Sequence, residues 1–175
     1  MHIGIVAVSK DGVIGLDGQL PWDHIPEDMA LFKHLTSKHI VVMGKNTYYS
    51  LPHKNRPLKD RINVVLTHEK DLEFVYSLKP DTFTACSLTN LKTLHPNKHI
   101  FFIGGMQVYK KAIENKWIDR WIVTRVHHEA LSSKKKHQTI THWDENLLKG
   151  FKLEECSPLG KTNHYHEVYE RVRGE

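Results

Sequence analysis

His39-Ile40-Val41-Val42-Met43-Gly44-Lys45-Asn46-Thr47 runs an unbroken apolar stretch into a glycine, a cation and two small polar residues. An apolar run of strand length without alternation marks a strand covered on both faces, the habit of parallel sheets. The polar residues after Gly44 predict a short helix around Asn46–Leu51. The same grammar recurs at His99–Ile103, where Gly104-Gly105 leads into a helix from Met106 to about Asn115. Ile3–Val8 is another buried run, and Arg61–Thr67 and Phe83–Cys86 are shorter ones, the latter followed by a helix near Leu88–Leu94. Arg120–His127 alternates well enough to be a strand. Pro26 to Thr36 reads as a helix, with proline early and Glu27 and Asp28 in its first turn, where the dipole favours acids. Phe151–Cys156 and Tyr165–Arg171, separated by Ser157–Gly160, read as an antiparallel hairpin. Lys10–Trp22, rich in glycine, reads as a long irregular loop, and such loops are usually functional. The expectation is an α/β fold with a mainly parallel sheet.

The 175 residues fit one domain spanning 1–175, at roughly 100–200 residues per domain. Charged residues make up 26% and apolar ones 39%, which suits a folded protein rather than a disordered one. No apolar run approaches the roughly 18 residues of a membrane helix, and the first residues carry no leader pattern, so no membrane partner and a cytoplasmic location are expected. Cys86 and Cys156 stand in no metal or redox spacing and are expected as buried thiols. The net charge of +5 is spread along the chain. Its densest point, Lys134-Lys135-Lys136, is too short for a nucleic-acid arm, so no nucleic-acid partner is expected. Distributed positive charge does suit small anions.

Two junctions could hold phosphate: Gly44–Thr47 and Gly104–Gln107, each ending a strand and opening a helix. Neither is a Walker motif or a Gly-x-Gly-x-x-Gly fingerprint. Asp28 shares a helix face with Phe32, four residues on. A carboxylate on an apolar face is costly unless paired, and burial raises its pKa. First-turn acids equally serve the dipole, and residue pattern alone leaves both roles open. His127-His128 and the pair His164 and His166, placed on one strand face, lack metal-binding companions and are expected as solvated surface groups, with no metal site.

Taken together, Val13-Ile14-Gly15, Leu20-Pro21-Trp22, Asp28 with Met29, Phe32 and Lys33, Val42–Thr47, Ser50-Leu51, Arg56-Pro57-Leu58 with Arg61, Val64–Thr67, Ile103-Gly104-Gly105 with Val108-Tyr109, and Thr124 resemble dihydrofolate reductase in order and spacing. The resemblance implies a single-domain fold: a central eight-stranded, mostly parallel sheet, an antiparallel C-terminal strand and about four flanking helices. It implies hydride transfer from NADPH to 7,8-dihydrofolate, giving tetrahydrofolate for one-carbon and thymidylate metabolism. Asp28 matches the pocket carboxylate that binds the pterin and promotes protonation at N5, with Trp22 and Thr124 holding water and hydrogen bonds around it. Ile5, Val6, Met29, Phe32, Leu51, Leu58, Ile103 and Tyr109 match the substrate's surroundings. Arg61 matches the clasp on the glutamate α-carboxylate, with Arg56 near the pocket mouth.

On the cofactor side the resemblance assigns Ala7, Ile14 and Gly15 to the nicotinamide end. Lys45, Thr67 and His68 fall at the adenosine 2′-phosphate, which implies NADPH over NADH, and Leu66 is assigned to the cofactor as well. Asn46 and Thr47, with Gly104, Gly105, Met106, Gln107 and Val108, would cradle the pyrophosphate. Ser9–Trp22 would be the lid. The family implies a monomer that binds antifolates such as methotrexate. Three departures stand out. Five residues separate Trp22 from Asp28, one more than in many bacterial members. Gln107 stands where some members carry arginine, so a weaker grip on phosphate is expected. The acid-Thr pair that often follows the Thr124 strand is replaced by Gln138-Thr139, after a basic insertion Ser132–His137, so altered lid coupling is expected. A pyrimidinone reductase of riboflavin synthesis, or a silent module of the same fold, are the alternatives. Asp28, Phe32 and Arg61 discriminate against the first, and Asp28, Trp22 and Thr124 against the second.

Overall fold

β1 (His2–Ser9) lies at the centre of an eight-stranded sheet. The computed structural model describes residues 1–66, 82–85, 89–132, 136 and 139–174, leaving aside the side chains of 82–85, 89–90, 94 and 132. The other elements of the sheet are β3 (Ile40–Met43), β4 (Ile62–Leu66), β5 (Thr82–Ala85), β6 (Ile100–Gly104), β7 (Arg120–Val126), β9 (Phe151–Pro158) and β10 (Tyr165–Arg171). Their order is β5-β4-β3-β6-β1-β7-β10-β9. All neighbours from β5 to β7 pair in parallel, and β10 runs antiparallel to both β7 and β9. The mostly parallel sheet with an antiparallel C-terminal strand is as expected.

Among the described residues four α-helices, α1 (Pro26–Thr36), α2 (Lys45–Ser50), α3 (Thr89–Leu94) and α4 (Met106–Glu114), cover it. β3 shows why the sheet is buried on both sides. Ile40 and Val42 join a cluster with Val6, Phe102, Leu91 and Val108, on the side of α3 and α4. Val41 and Met43 join Ile3, Phe101, Ile122 and Leu35 on the other. All four β3 residues are fully buried, so neither face could tolerate a polar residue.

Several sequence readings need correcting. The segment Lys10–Trp22 is not wholly irregular: β2 (Val13–Leu16) pairs with β8 (Ile140–His142) in a separate two-stranded ribbon. Long-range backbone contacts create it. Asp17 N–H donates to the Thr139 carbonyl, and Thr139 N–H donates to the Asp17 carboxylate, both at 2.9 Å. Asp11 accepts from the N–H groups of Ala130 and Leu131. At Thr139 these two bonds hold the ribbon to the Lys10–Trp22 segment; Gln138 lies outside the described residues.

Cys156 is exposed, not buried, because β9 is the sheet edge; Cys86 lies outside the described residues. β9 extends through Pro158, so the hairpin turn falls after it, not at Ser157–Gly160. His164 precedes β10 rather than lying on it, and its Nδ1 accepts from the His127 N–H at 2.9 Å. His166 is not solvated: its Nε2 is buried with no hydrogen-bond partner among the described residues. His127 and His128 are exposed, as expected. Among the described residues no cluster could hold a metal, and no helix is long and apolar enough to cross a membrane.

Candidate active site

α1 is set by its ends. Pro26 opens it without losing a needed N–H. Beyond Thr36 the chain turns left-handed at Lys38. Thr36 bonds back to the Phe32 carbonyl at 2.7 Å, and Ser37 N–H caps onto Lys33. This orientation presents Asp28, Phe32 and Leu35, at helical spacing, to β1 and β7, where they are only half-buried. On β1, Ile5 and Ala7 are half-buried on that same side, whereas Val6 and Val8 are buried in the α4-side cluster. Of Ile5 and Val6, both assigned to substrate, only Ile5 directs its side chain toward α1. Val6 can contribute backbone alone, since successive strand side chains alternate.

The centre of this strip is a hydrogen bond. The Thr124 hydroxyl donates to Asp28 Oδ1 at 2.9 Å, across 96 positions of sequence. Burial pushes the Asp28 carboxyl above the ordinary carboxylate range. The Thr124 bond and the charges of His164 and His166 oppose that rise without reversing it. A carboxyl with an upshifted pKa keeps its proton to higher pH than an ordinary carboxylate does, the direction a general acid requires. Trp22 stands half-buried in the bend before α1, and Met29 is 41% exposed.

Below Asp28, Leu51, Leu58 and Ile103 are partly buried against the α1-side cluster. Asn63, wholly buried, clamps the preceding loop: it accepts from Leu58 N–H at 2.8 Å and donates to the carbonyls of Leu58 and Arg61. That clamp positions Arg61, whose guanidinium donates to Thr36 Oγ1 at 3.1 Å and lies 5.8 Å from the Phe32 ring. Beside it opens a cavity of about 580 Å³ with Lys38, Lys54, Lys59 and Lys98 around its rim, against Asp60. The groove is chemically suited to carboxylates. Arg56 donates to the Tyr49 carbonyl and stacks over Tyr48 and Tyr49.

At the far end of the strands, the Gly44 N–H donates to the Gly104 carbonyl at 2.8 Å, joining the two phosphate-like junctions. The Gly104-Gly105 peptide is cis, and Gly104 has φ +123°, a conformation closed to side chains. A Cβ at either glycine would lie 3.6 Å from Thr47 Oγ1. The first turn of α4 carries no acid and no side-chain cap, leaving its N–H donors available to an anion. Lys45, Asn46 and Gln107 are exposed and Thr47 and Met106 half-buried around this end, while Val108 is buried. Leu66 is buried in the α4-side cluster; Thr67 and His68 lie outside the described residues. Ile14 packs partly against that cluster and Gly15 lies beside Thr141 of β8. Tyr109 is buried, and its hydroxyl donates to the Ile5 carbonyl at 2.6 Å, tying α4 to the strand beside Asp28.

Sequence reasoning missed His166. Its register opposite Thr124 places it on the Asp28 side of the sheet. Strand alternation counted back from the Tyr165–Arg171 run could have found it.

The family profile described as dihydrofolate reductase matches residues 1–169. A dihydrofolate reductase of Gallus gallus is 36% identical over 161 residues, covering 85% of this chain and 80% of that protein. One from Sus scrofa is 34% identical, covering 95% of this chain and 96% of its own length. One from Bacillus subtilis is 38% identical over 71% of this chain and 68% of its own. By its sequence over nearly its whole length, the chain belongs to the dihydrofolate reductase family.

Proposed function

We propose that the chain reduces 7,8-dihydrofolate to 5,6,7,8-tetrahydrofolate with NADPH, as a monomeric single domain over 1–175 acting in the cytoplasm. The observation that carries this reading is the Asp28–Thr124 pair, set in a half-buried strip between a carboxylate-suited groove and a glycine-lined anion site. When bound, NADPH supplies the hydride that goes to C6 of the pterin. The residues present fit it. Gly104 and Gly105 let backbone approach the pyrophosphate closely, and the uncapped start of α4 offers N–H donors. Asn46 and Thr47 would flank that group, Lys45, Thr67 and His68 would meet the 2′-phosphate, and Ala7 and Ile14 the carboxamide.

Asp28 would bind the pterin amino group and ring nitrogen by parallel hydrogen bonds. Its raised pKa supports protonation at N5, with Trp22 ordering water beside it. Thr124 donates to one side of Asp28 Oδ1, so the carboxyl keeps one orientation while Oδ2 and the remaining lone pair of Oδ1 can accept the two substrate hydrogen bonds. Phe32, Leu51 and Ile5 exclude water from the ring faces, where electrostatic interactions then gain strength. Arg61 would take the α-carboxylate in a bidentate fork.

The test is loss of NADPH absorbance on adding dihydrofolate, with and without methotrexate, and with NADH as the comparison. Methotrexate-sensitive oxidation with NADPH well ahead of NADH is the expected result. A folded sample that binds NADPH yet shows no oxidation refutes the proposal. Arg61→Ala tests the clasp. A charge-assisted hydrogen bond is worth about 1.5–3 kcal/mol. KM for dihydrofolate should therefore rise about 10–100-fold, while kcat changes little, because binding far from the reacting atoms is uniform. An unaltered KM would remove Arg61 from the site.

A further inference from the structure

The hydrogen bond that orients Asp28 is not its whole environment. β10 pairs with β7 so that His166 lies directly opposite Thr124. Directly opposed residues of an antiparallel pair project from the same face with their Cβ atoms about 5 Å apart. Thr124 uses that face to reach Asp28, so the imidazole of His166 stands beside the Asp28–Thr124 pair. Its Nε2 is buried and has no partner among the described residues. A buried ring nitrogen without a partner is uncommon and calls for an explanation.

We propose that His166 is a positioning residue for the reaction: from beside Thr124, its imidazole sets the charge of Asp28 through space. The inference rests on the reading of Asp28 as the acid of the reductase. A cationic imidazole holds the neighbouring carboxyl ionised, and a neutral one releases it to take a proton. The charge of His166 favours ionised Asp28, in agreement with the geometry. An imidazole can carry a positive charge or none, so what stands beside Asp28 is a group of variable charge.

The other groups facing this pair are few. His164 also favours ionised Asp28, but its Nδ1 is engaged by the His127 N–H. From β9, Ser157 lies opposite His166 and carries no charge. From α1, Glu27 reaches the turn before β10, its Cγ 3.5 Å from where a Cβ of Gly160 would sit. Farther along the same face, Arg120 and Glu170 neutralise each other in an ion pair. Arg125 and Glu167 alternate to the opposite face and pair there with each other. His166 is therefore the titratable group on β10 that faces Asp28 without a competing partner among the described residues.

The experiment is the pH profile of kcat/KM for wild type, His166→Gln and His166→Phe, joined to ¹³C NMR titration of the Asp28 carboxyl in the ligand-free protein. Thermal melts check that each variant is folded. Removing the cation should move the midpoint at which activity falls with rising pH upward by about one unit. The Asp28 resonance should move with it. Gln keeps a polar side chain of similar reach, so a shift shared by Gln and Phe reports charge rather than packing. If Phe does not fold, Gln alone decides. An unmoved Asp28 resonance in His166→Gln overturns the inference. A resonance that moves while the activity profile does not would leave the His166 coupling standing and refute Asp28 as the acid.

Discussion

Asp28→Asn is expected to lose dihydrofolate turnover by about 10²–10⁴-fold near neutral pH, the range a positioned general acid contributes, while NADPH still binds. The geometry makes this a clean substitution. Asn keeps an oxygen to accept the Thr124 hydroxyl, so the 2.9 Å bond and the helix position can survive. What disappears is the exchangeable proton and the negative charge that holds a protonated pterin. Activity of the variant should recover partly as pH falls, because substrate protonated in solution bypasses the missing acid. The stability consequence has the opposite sign. Burial raises the Asp28 pKa in the folded state. Between the unfolded and folded values the native protein therefore binds more protons, and stability falls as pH rises through that window. An amide carries no charge to desolvate, so the Asn variant should melt at or above the wild-type temperature at pH 7. Below the unfolded value both forms are neutral and the difference should vanish. Stopped-flow and steady-state rates with melting curves across pH measure both effects. Wild-type turnover in a folded Asn variant would end the case for Asp28.

Much of this site was readable from residue order, and what was not has a physical reason. The β3 stretch and Gly104-Gly105 declared themselves because continuous burial and tight turns each demand particular residues locally. Asp28 was visible as a carboxylate on an apolar helix face, but its partner Thr124 is 96 positions away, and no local pattern joins them. The resemblance joined them, and the geometry does so independently. The ribbon β2–β8 escaped because its strands have only four and three residues and depend on the Asp17–Thr139 bonds across the chain. Cys156 was misplaced because composition says that cysteines are buried, whereas exposure on β9 follows from being the edge strand. The resemblance assigned both Ile5 and Val6 to the substrate's surroundings, and a continuous apolar run does not by itself say which residue faces which side. Only the two clusters, one holding Val6 and the other Ile3 and Ile122, separate the faces.

Gly4→Ala should strongly destabilise the sheet. Gly4 lies on β1 opposite Trp121 of β7. A Cβ built on it would fall well inside van der Waals contact of the ring carbons of Trp121. The ring is not a flexible end that can swing away. Trp121 is fully buried, with Trp143 at 5.3 Å, Tyr109 at 5.4 Å and Phe151 at 6.5 Å between ring centroids. Moving it pushes on Tyr109, whose hydroxyl holds the Ile5 carbonyl beside Asp28, so the strain reaches the candidate active site. Overpacking of a close-packed core costs about 1–3 kcal/mol and occasionally more, and here the upper end applies because backbone of the central strand must shift. At about 2–4 °C per kcal/mol for a chain of this size, the melting temperature should fall by about 6–12 °C. The double variant Gly4→Ala with Trp121→Leu separates the clash from a backbone effect. If the clash is the cause, adding Ala to the Leu background should be nearly neutral, a coupling that additive sites do not show. An Ala variant that melts with wild type would mean that the ring can relax, and that the tie from Tyr109 to Ile5 is slack as well.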